Sequence, residues 1–384
     1  MKAARHALVA AVPQLASYQG HGGIKRVFQS IRAHWAEQIQ VVDASYQAYP
    51  LPLLRNFPFG VRAPAEAGLI LLPQLTGAQA LRKTHGLPSV AVIHDIGIVD
   101  FPGDRLGMSW LTHHTILRSF WALRYASQII AVSSWTRERL LHYLPEIADR
   151  VAVVPSGVDQ IFLEHAATPA AARARIVELT GCQLRAPLLV YVGSETPRKN
   201  LPLLLQAFKQ VKQRHPDAQL LKVGGPGHPR WRSQTLEHAA RLDLDVGRDL
   251  LLVDRVDDVT LADAYRAADL FVSASSYEGF GLPLLEAMAC GTPAVTTNCG
   301  AFAEVAGDTG WLVPSEATAF AQAIDAALTA GDRAGRAQAA QERARAWTWQ
   351  RAAQGYSDIL TDVAASGFGE RTAKQRTKNK AESC

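Results

Sequence analysis

The chain has 384 residues, 48% hydrophobic and 20% charged, with a formal net charge of +5. Such a length suits two or three globular domains, and no run of about 18 apolar residues offers itself as a membrane-spanning helix. Four cysteines (Cys182, Cys290, Cys299 and Cys384) have no metal-like spacing and are too few for a disulfide scaffold, so a reducing cytoplasm is expected.

The charge is uneven. Residues 1–185 hold 18 Lys/Arg against 12 Asp/Glu, a balance of +6; residues 186–370 hold 17 against 22, or −5; the last fourteen hold 5 against 1, or +4. A basic front half attracts an anionic acceptor, or brings peripheral contact with an anionic membrane at its inner face. Ordinary scatter of surface charge accounts for it equally well. No basic stripe with interleaved aromatics is present, so nucleic acid is not an expected partner.

Short apolar runs alternate with helical patterns from the start. Strands are expected at Ala7–Val12, Ile39–Val42, Leu69–Leu72, Val90–His94, Ile129–Val132 and Val151–Val154, with helices at Gly23–Ala36 and Trp110–Tyr125. The basic, then apolar N-terminus reads as the first strand rather than a signal peptide, because a Gly-rich turn follows it. Residues 160–186 are Ala-rich and helical, and a domain boundary is expected near Leu184–Pro187.

The alternation then repeats. Strands are expected at Leu188–Val192, Gln219–Val223, Leu250–Val253, Leu270–Ser273, Ala294–Thr296 and Trp311–Val313, and helices at Leu201–Arg214 and Leu261–Ala268. A long helix over Ala317–Trp347 breaks near Gly331-Asp332, and a last helix covers Ala352–Leu360. From Ala364 the chain is polar and basic and is expected to be disordered. The expected class is α/β, with two doubly wound domains facing across a cleft: residues 1–184 and 185–350, then a terminal helix over 351–363 and a basic tail over 364–384.

Candidate chemistry gathers in the second half. Asp269–Pro293 reads strand, glycine loop, helix, with Pro283 where the helix begins and Gly291 where it ends. Backbone N–H groups of Gly279, Phe280, Gly281 and Leu282 and a positive helix end suit a phosphate. Glu278 on the loop and Glu286, placed in the first helical turn, suit vicinal hydroxyls, since a carboxylate accepts two hydrogen bonds. Amides for phosphate beside carboxylates for hydroxyls match a nucleotide sugar. Each glutamate alone also reads as a helix-capping or solvated acid. Arg198 and Lys199 precede a helix at the carboxyl end of Leu188–Val192, where a diphosphate would lie; a solvated basic turn is the plainer alternative.

In the first half, Gly20, Gly22 and Gly23 follow the first strand and let backbone approach a ligand, or form a simple tight turn. GHGG is not a dinucleotide fingerprint. His94-Asp95 closes the strand SVAVIHD. His113 and His114 point to different helix faces and read as packing residues. No Asp-x-Asp follows a strand to hold a metal diphosphate, so no metal or other cofactor is expected.

EGFGLPLLEAMACGTPAV resembles the signature of retaining glycosyltransferases of the GT-B fold, the large family 4 type (group 1) with mannosyl-, glucosyl- and galactosyltransferases. That family carries two glutamates separated by seven residues, as Glu278 and Glu286 are. The resemblance covers roughly residues 5–360 and is strongest over Leu188–Leu312; IIAVSSWTRERLL, VAVVPSGVD and WTWQRAAQGY contribute to it.

The resemblance implies a metal-independent hexosyltransferase, mannose favoured among sugars. It would use a GDP-, UDP- or ADP-sugar donor and a glycan or lipid-linked acceptor, in polysaccharide or glycolipid synthesis. Glu286 would hold ribose, Glu278 the sugar, Lys199 and Arg198 the diphosphate. His94 would stand near the donor sugar, and Gly22 and Gly23 near donor phosphate and acceptor. Some relatives carry arginine soon after the glycine, where this chain has Ser194 and Glu195. A GT-B epimerase and a non-catalytic nucleotide-sugar-binding protein remain the rival readings.

Overall fold

The computed structural model describes residues 7–18, 23–35, 38–48, 58–101, 110–164 and 167–381, which form two compact units. Gly20 and Gly22 lie outside the described residues.

The first unit is a seven-stranded sheet of order β3-β2-β1-β4-β5-β6-β7. Its strands are β1 (Leu8–Pro13), β2 (Ile39–Ala48), β3 (Pro58–Arg62), β4 (Leu69–Leu72), β5 (Ser89–Ile93), β6 (Gln128–Ala131) and β7 (Val151–Val153). All pair in parallel except β3, which runs antiparallel to β2 at the edge. Helices α1 (Gly23–Ala33), α2 (Gly97–Asp100), α3 (Trp110–Ala122) and α4 (Ser134–Tyr143) belong here. β4 and β5 are buried at every position, as expected where helices cover both faces of a parallel sheet.

The second unit is a six-stranded, wholly parallel sheet of order β10-β9-β8-β11-β12-β13. Its strands are β8 (Leu188–Val192), β9 (Gln219–Val223), β10 (Leu250–Val253), β11 (Leu270–Ser273), β12 (Ala294–Thr297) and β13 (Trp311–Val313). Its helices are α5 (Gln160–Glu164), α6 (Pro169–Thr180), α7 (Leu201–Arg214), α8 (Pro229–Arg241), α9 (Asp258–Ala267), α10 (Leu282–Ala289), α11 (Phe302–Ala306), α12 (Ala317–Thr329) and α13 (Arg333–Ala344). Leu204, Phe208 and Val211 of α7 pack with Leu189 and Tyr191 of β8 and with Phe320 and Ile324 of α12 in one core. Strand order reverses between β8 and β11, so the loops that follow these two strands leave the sheet side by side. Such switch points are where doubly wound sheets bind ligands.

The final helix, α14 (Trp349–Ala381), returns to the first unit. The Trp35 indole N–H donates to the Ala353 carbonyl at 3.2 Å, and Tyr356 and Leu360 are buried.

Three features differ from the sequence expectation. The first unit ends at Gly157 rather than near Leu184, because α6 packs on α9. Arg175 pairs with Asp263 there, and Arg173 with Asp269 at 2.8 Å. β3 is an addition to the expected strands: Pro58 and Gly60 mask it, and it survives at the sheet edge, where a missing N–H is tolerated. The tail expected to be disordered continues α14 to Ala381. Beyond Ala364 the chain has no proline and many Ala, Lys, Arg, Gln and Glu, and adding residues to an established helix costs little.

Among the described residues, no helix is long and apolar enough to cross a membrane. The polar end of α14 offers little apolar surface to bury. Removing residues 365–384 should therefore leave the thermal midpoint within about 2 °C, the scale of a surface change below ~1 kcal/mol. Differential scanning calorimetry checks this, and a drop beyond about 5 °C would show a packed tail.

Candidate functional site at the second sheet's switch point

The β11 loop runs from Ala274 to Gly281 and feeds α10. Gly281 precedes the helix at φ +97°, and a Cβ there would meet the Phe302 ring at 2.8 Å, so the turn and the packing both require glycine. Leu282 opens the helix and Pro283 follows within its first turn, where a missing N–H costs nothing. The turn therefore sets backbone amides at the carboxyl end of β11. Phe280 is buried, its ring centroid 5.5 Å from that of Trp347.

Glu278 is 7% exposed. Its Oε1 accepts from Lys199 Nζ at 2.5 Å and from Ser275 Oγ at 2.8 Å. Lys199 comes from the β8 loop, whose last turn, Pro197–Lys199, ends in left-handed Asn200 before α7. Its side chain is 12% exposed, so it is not part of a solvated basic turn. The two loops are joined a second time by the Ser276 N–H, which donates to the Arg198 carbonyl at 2.7 Å. A charge-assisted contact this short, largely excluded from water, fixes the ammonium firmly.

Glu286 is 5% exposed and sits in the second turn of α10, not the first. The Tyr265 hydroxyl of α9 donates to its Oε2 at 2.8 Å. A buried carboxylate beside the switch point, with its rotamer held by a buried phenol, is a built acceptor for hydroxyl groups.

His94 stands at the carboxyl end of β5, in the first unit. Its Nε2 lies 2.9 Å from the Pro73 carbonyl. A carbonyl only accepts, so Nε2 carries the proton, and burial pushes the ring's pKa down from its ordinary value. The imidazole is thus neutral near pH 7, with Nδ1 as an acceptor. Asp95 Oδ1 accepts from the Gly97 N–H at 3.0 Å and fastens the start of α2. Gly23 opens α1, and a Cβ at this position would meet nothing within 4 Å among the described residues. His114 stacks on Trp110 with centroids 4.6 Å apart. Among the described residues, no group of three His, Cys, Asp or Glu side chains converges as a metal site.

The structure thus brings together Lys199, Arg198, Glu278 and the amides before α10, with Glu286 on the helix behind them. Sequence reasoning missed Ser275, Tyr265 and Gly300. Tyr265 carries no local mark, because its role is a contact across 21 residues, and Ser275 does not stand out among Ser273, Ser275 and Ser276. Gly300, in the turn Asn298-Cys299-Gly300 before α11, left a weak one. Its φ is +57°, and a Cβ would stand 2.1 Å from the Glu278 carbonyl oxygen.

Two family models match. One, described as Glycosyl transferases group 1, covers residues 186–330, and the other, Glycosyltransferase Family 4, covers residues 69–160. The D-inositol 3-phosphate glycosyltransferase of Corynebacterium glutamicum (strain R) is 30% identical over 247 residues, 62% of this chain and 58% of that enzyme. The O-antigen chain mannosyltransferase B of Escherichia coli is 31% identical over 231 residues, 58% of this chain and 56% of its own length. The chain thus spans little more than half the length of these curated relatives. The crystal structure of Anabaena Alr3699/HepE in complex with UDP-glucose shares the fold, with a TM-score of 0.73 at 19% identity over 92% of this chain and 100% of that one.

Gly300→Ala should push the Glu278 backbone aside as well as strain its own. Gly247, at φ +98° with nothing within 4 Å of a Cβ, isolates the strain alone. By urea unfolding, Gly300→Ala is expected to cost at least about 1 kcal/mol more than Gly247→Ala, on top of the ~1–3 kcal/mol that a left-handed non-glycine residue carries.

With two Rossmann-like parallel sheets, and with both matched segments falling on them, the chain belongs to the group 1, family 4 glycosyltransferases of the GT-B fold.

Proposed function

We propose that this protein is a retaining, metal-independent hexosyltransferase. It moves a sugar from a nucleoside diphosphate donor to a glycan, lipid-linked or other small acceptor in polysaccharide or glycolipid synthesis. The observation that carries the reading is the half-buried Lys199 ammonium, held 2.5 Å from Glu278 where the two switch-point loops meet.

In this reading Lys199, with Arg198 and the amides of Gly279–Leu282, stabilises the diphosphate as negative charge grows on the leaving oxygen. Glu286 receives the ribose hydroxyls and Glu278 the sugar hydroxyls. The family resemblance would add His94 near the donor sugar, and Gly22 and Gly23 near the donor phosphate and the acceptor. The departing phosphate oxygen takes the acceptor's proton on the face from which it leaves, so the anomeric configuration is kept. The relatives' names favour a hexose, mannose by the O-antigen enzyme and glucose by the UDP-glucose complex of HepE. A thermal-shift screen of GDP-, UDP- and ADP-sugars selects the donor, since binding to the native state raises the midpoint.

Glu286→Gln should weaken donor binding by about 10- to 100-fold, because charge-assisted hydrogen bonds contribute ~1.5–3 kcal/mol. Isothermal calorimetry decides it, and an unchanged donor affinity removes Glu286 from the site.

Lys199→Ala, assayed in EDTA, should lower turnover by ~10²–10³, the usual loss for one electrostatic stabiliser of a leaving oxyanion. Donor affinity should fall less, since charge on that oxygen peaks in the transition state. The product's anomeric proton, read by NMR, is expected to show an α linkage from an α donor. A β product would overturn the retaining reading, and loss of wild-type turnover in EDTA, restored by Mg²⁺, would overturn metal independence.

A further inference from the structure

Behind the Lys199 turn, the second unit buries a pair of charges. Lys222 lies on β9 between Leu221 and Val223, in the interior of the sheet, and its side chain is 1% exposed. Its Nζ stands 2.8 Å from Oε1 of Glu195, whose side chain is 0% exposed, and also donates to the Gly224 carbonyl. Arg232 of α8 donates from Nε to the same Glu195 oxygen at 2.7 Å and from Nη2 to Asp254 Oδ1 at 2.6 Å. Burial would raise the Glu195 carboxyl, but the bonds from Lys222 and Arg232 hold it below the ordinary range. Burial pushes the Lys222 ammonium down against the pull of Glu195.

A buried ion pair is a weak device for stability, because an apolar pair of similar volume commonly does as well or better. What this pair supplies is direction. Glu195 sits four residues before Lys199 on the same loop. Its N–H donates to the Pro226 carbonyl at 3.2 Å, and the neighbouring Ser194 carbonyl accepts from the buried Tyr191 hydroxyl at 2.8 Å. Farther along, the Lys199 N–H donates to the Thr196 carbonyl at 2.9 Å. The loop is thus held at its base by Glu195 and at its tip by Lys199, each through an ion pair.

We propose that Glu195, Lys222 and Arg232 form a positioning cluster that sets where the Lys199 ammonium stands relative to the leaving diphosphate. The proposal rests on the sugar-transfer reading above.

The test compares Glu195→Gln, Lys222→Met and the double variant. Each single change strands one buried charge or its partner and should lower the thermal midpoint. The double variant carries no charge at the pair, and its midpoint should return to within about 3 °C of wild type. Its turnover should nevertheless stay about tenfold or more below wild type, the scale of a sub-ångström to 1 Å misplacement. Its donor KM should move by less than about threefold, since ground-state contacts remain. Hydrogen–deuterium exchange should rise over Ser194–Asn200 in the double variant and stay unchanged over β9 and α7. Recovery of turnover together with the midpoint would reduce the cluster to a folding role and overturn the proposal, as would unchanged exchange over Ser194–Asn200. The exchange measurement needs no substrate: if wild type transfers no sugar from any donor, the transfer reading fails by itself while exchange still decides whether the cluster holds the loop.

Discussion

The second unit's site depends on one contact, the ion pair from Lys199 to Glu278. Its two residues lie 79 positions apart and on different loops, yet the strand order of the sheet makes them neighbours. Once β8 and β11 are paired, their loops emerge at the same edge with opposite charges at their tips. The adjacent backbone bond from Ser276 to Arg198 removes the remaining freedom. A cation is therefore in place before any anionic ligand arrives. Pre-organised charge of this kind is what a reaction that builds charge on a leaving oxygen requires, because no reorganisation is needed at the moment of bond cleavage.

Around that contact the protein stacks successive constraints. Gly281 and Gly300 let backbone and ring approach where a Cβ has no room. Ser275 steadies the Glu278 carboxylate, and its own carbonyl accepts from Cys299 Sγ at 2.8 Å. Tyr265 holds Glu286 from the neighbouring helix. None of these side chains has to touch a substrate to matter, since each limits the rotamers of one that is proposed to. In the first unit, Asp100 plays a comparable part: its bidentate pairing with Arg139 and its bond from Tyr143 at 2.9 Å fasten α2, just after His94, to α4.

Much of this is legible in the sequence. Parallel strands buried on both faces read as uninterrupted apolar runs, so the expected and observed limits of Leu69–Leu72 and Leu188–Val192 agree to the residue. Glu278 and the Arg198-Lys199 turn are legible because they sit in glycine- and proline-marked loops, and Glu286 because the helix that carries it is bounded by Gly281-Leu282-Pro283 and Gly291. The unit boundary is not, since the Ala-rich helices before Leu188 carry no mark of which sheet they cover; only the distant Asp263 and Asp269 decide that. Lys222 illustrates the same limit. A lysine in an apolar strand advertises a buried partner, but nothing local says that the partner is Glu195.

The return of α14 to the first unit bears on how the chain is made. Trp35 and Ala353, 318 residues apart, share a hydrogen bond, so the first unit lacks one of its packing surfaces until Trp349–Ala381 has been made. Closing so long a loop in a flexible chain costs entropy, although the cost grows only logarithmically with length. The second unit shortens that loop. Where the chain enters and leaves it, the Val158 N–H donates to the Trp347 carbonyl at 2.9 Å, and Val158 bridges Thr348. A second unit that has already folded thus delivers Trp349 next to Gly157, turning a closure of nearly two hundred residues into a step between neighbours. On a ribosome that feeds the chain out from the N-terminus, the last surface of the first unit is then added only after every residue of the second unit has emerged.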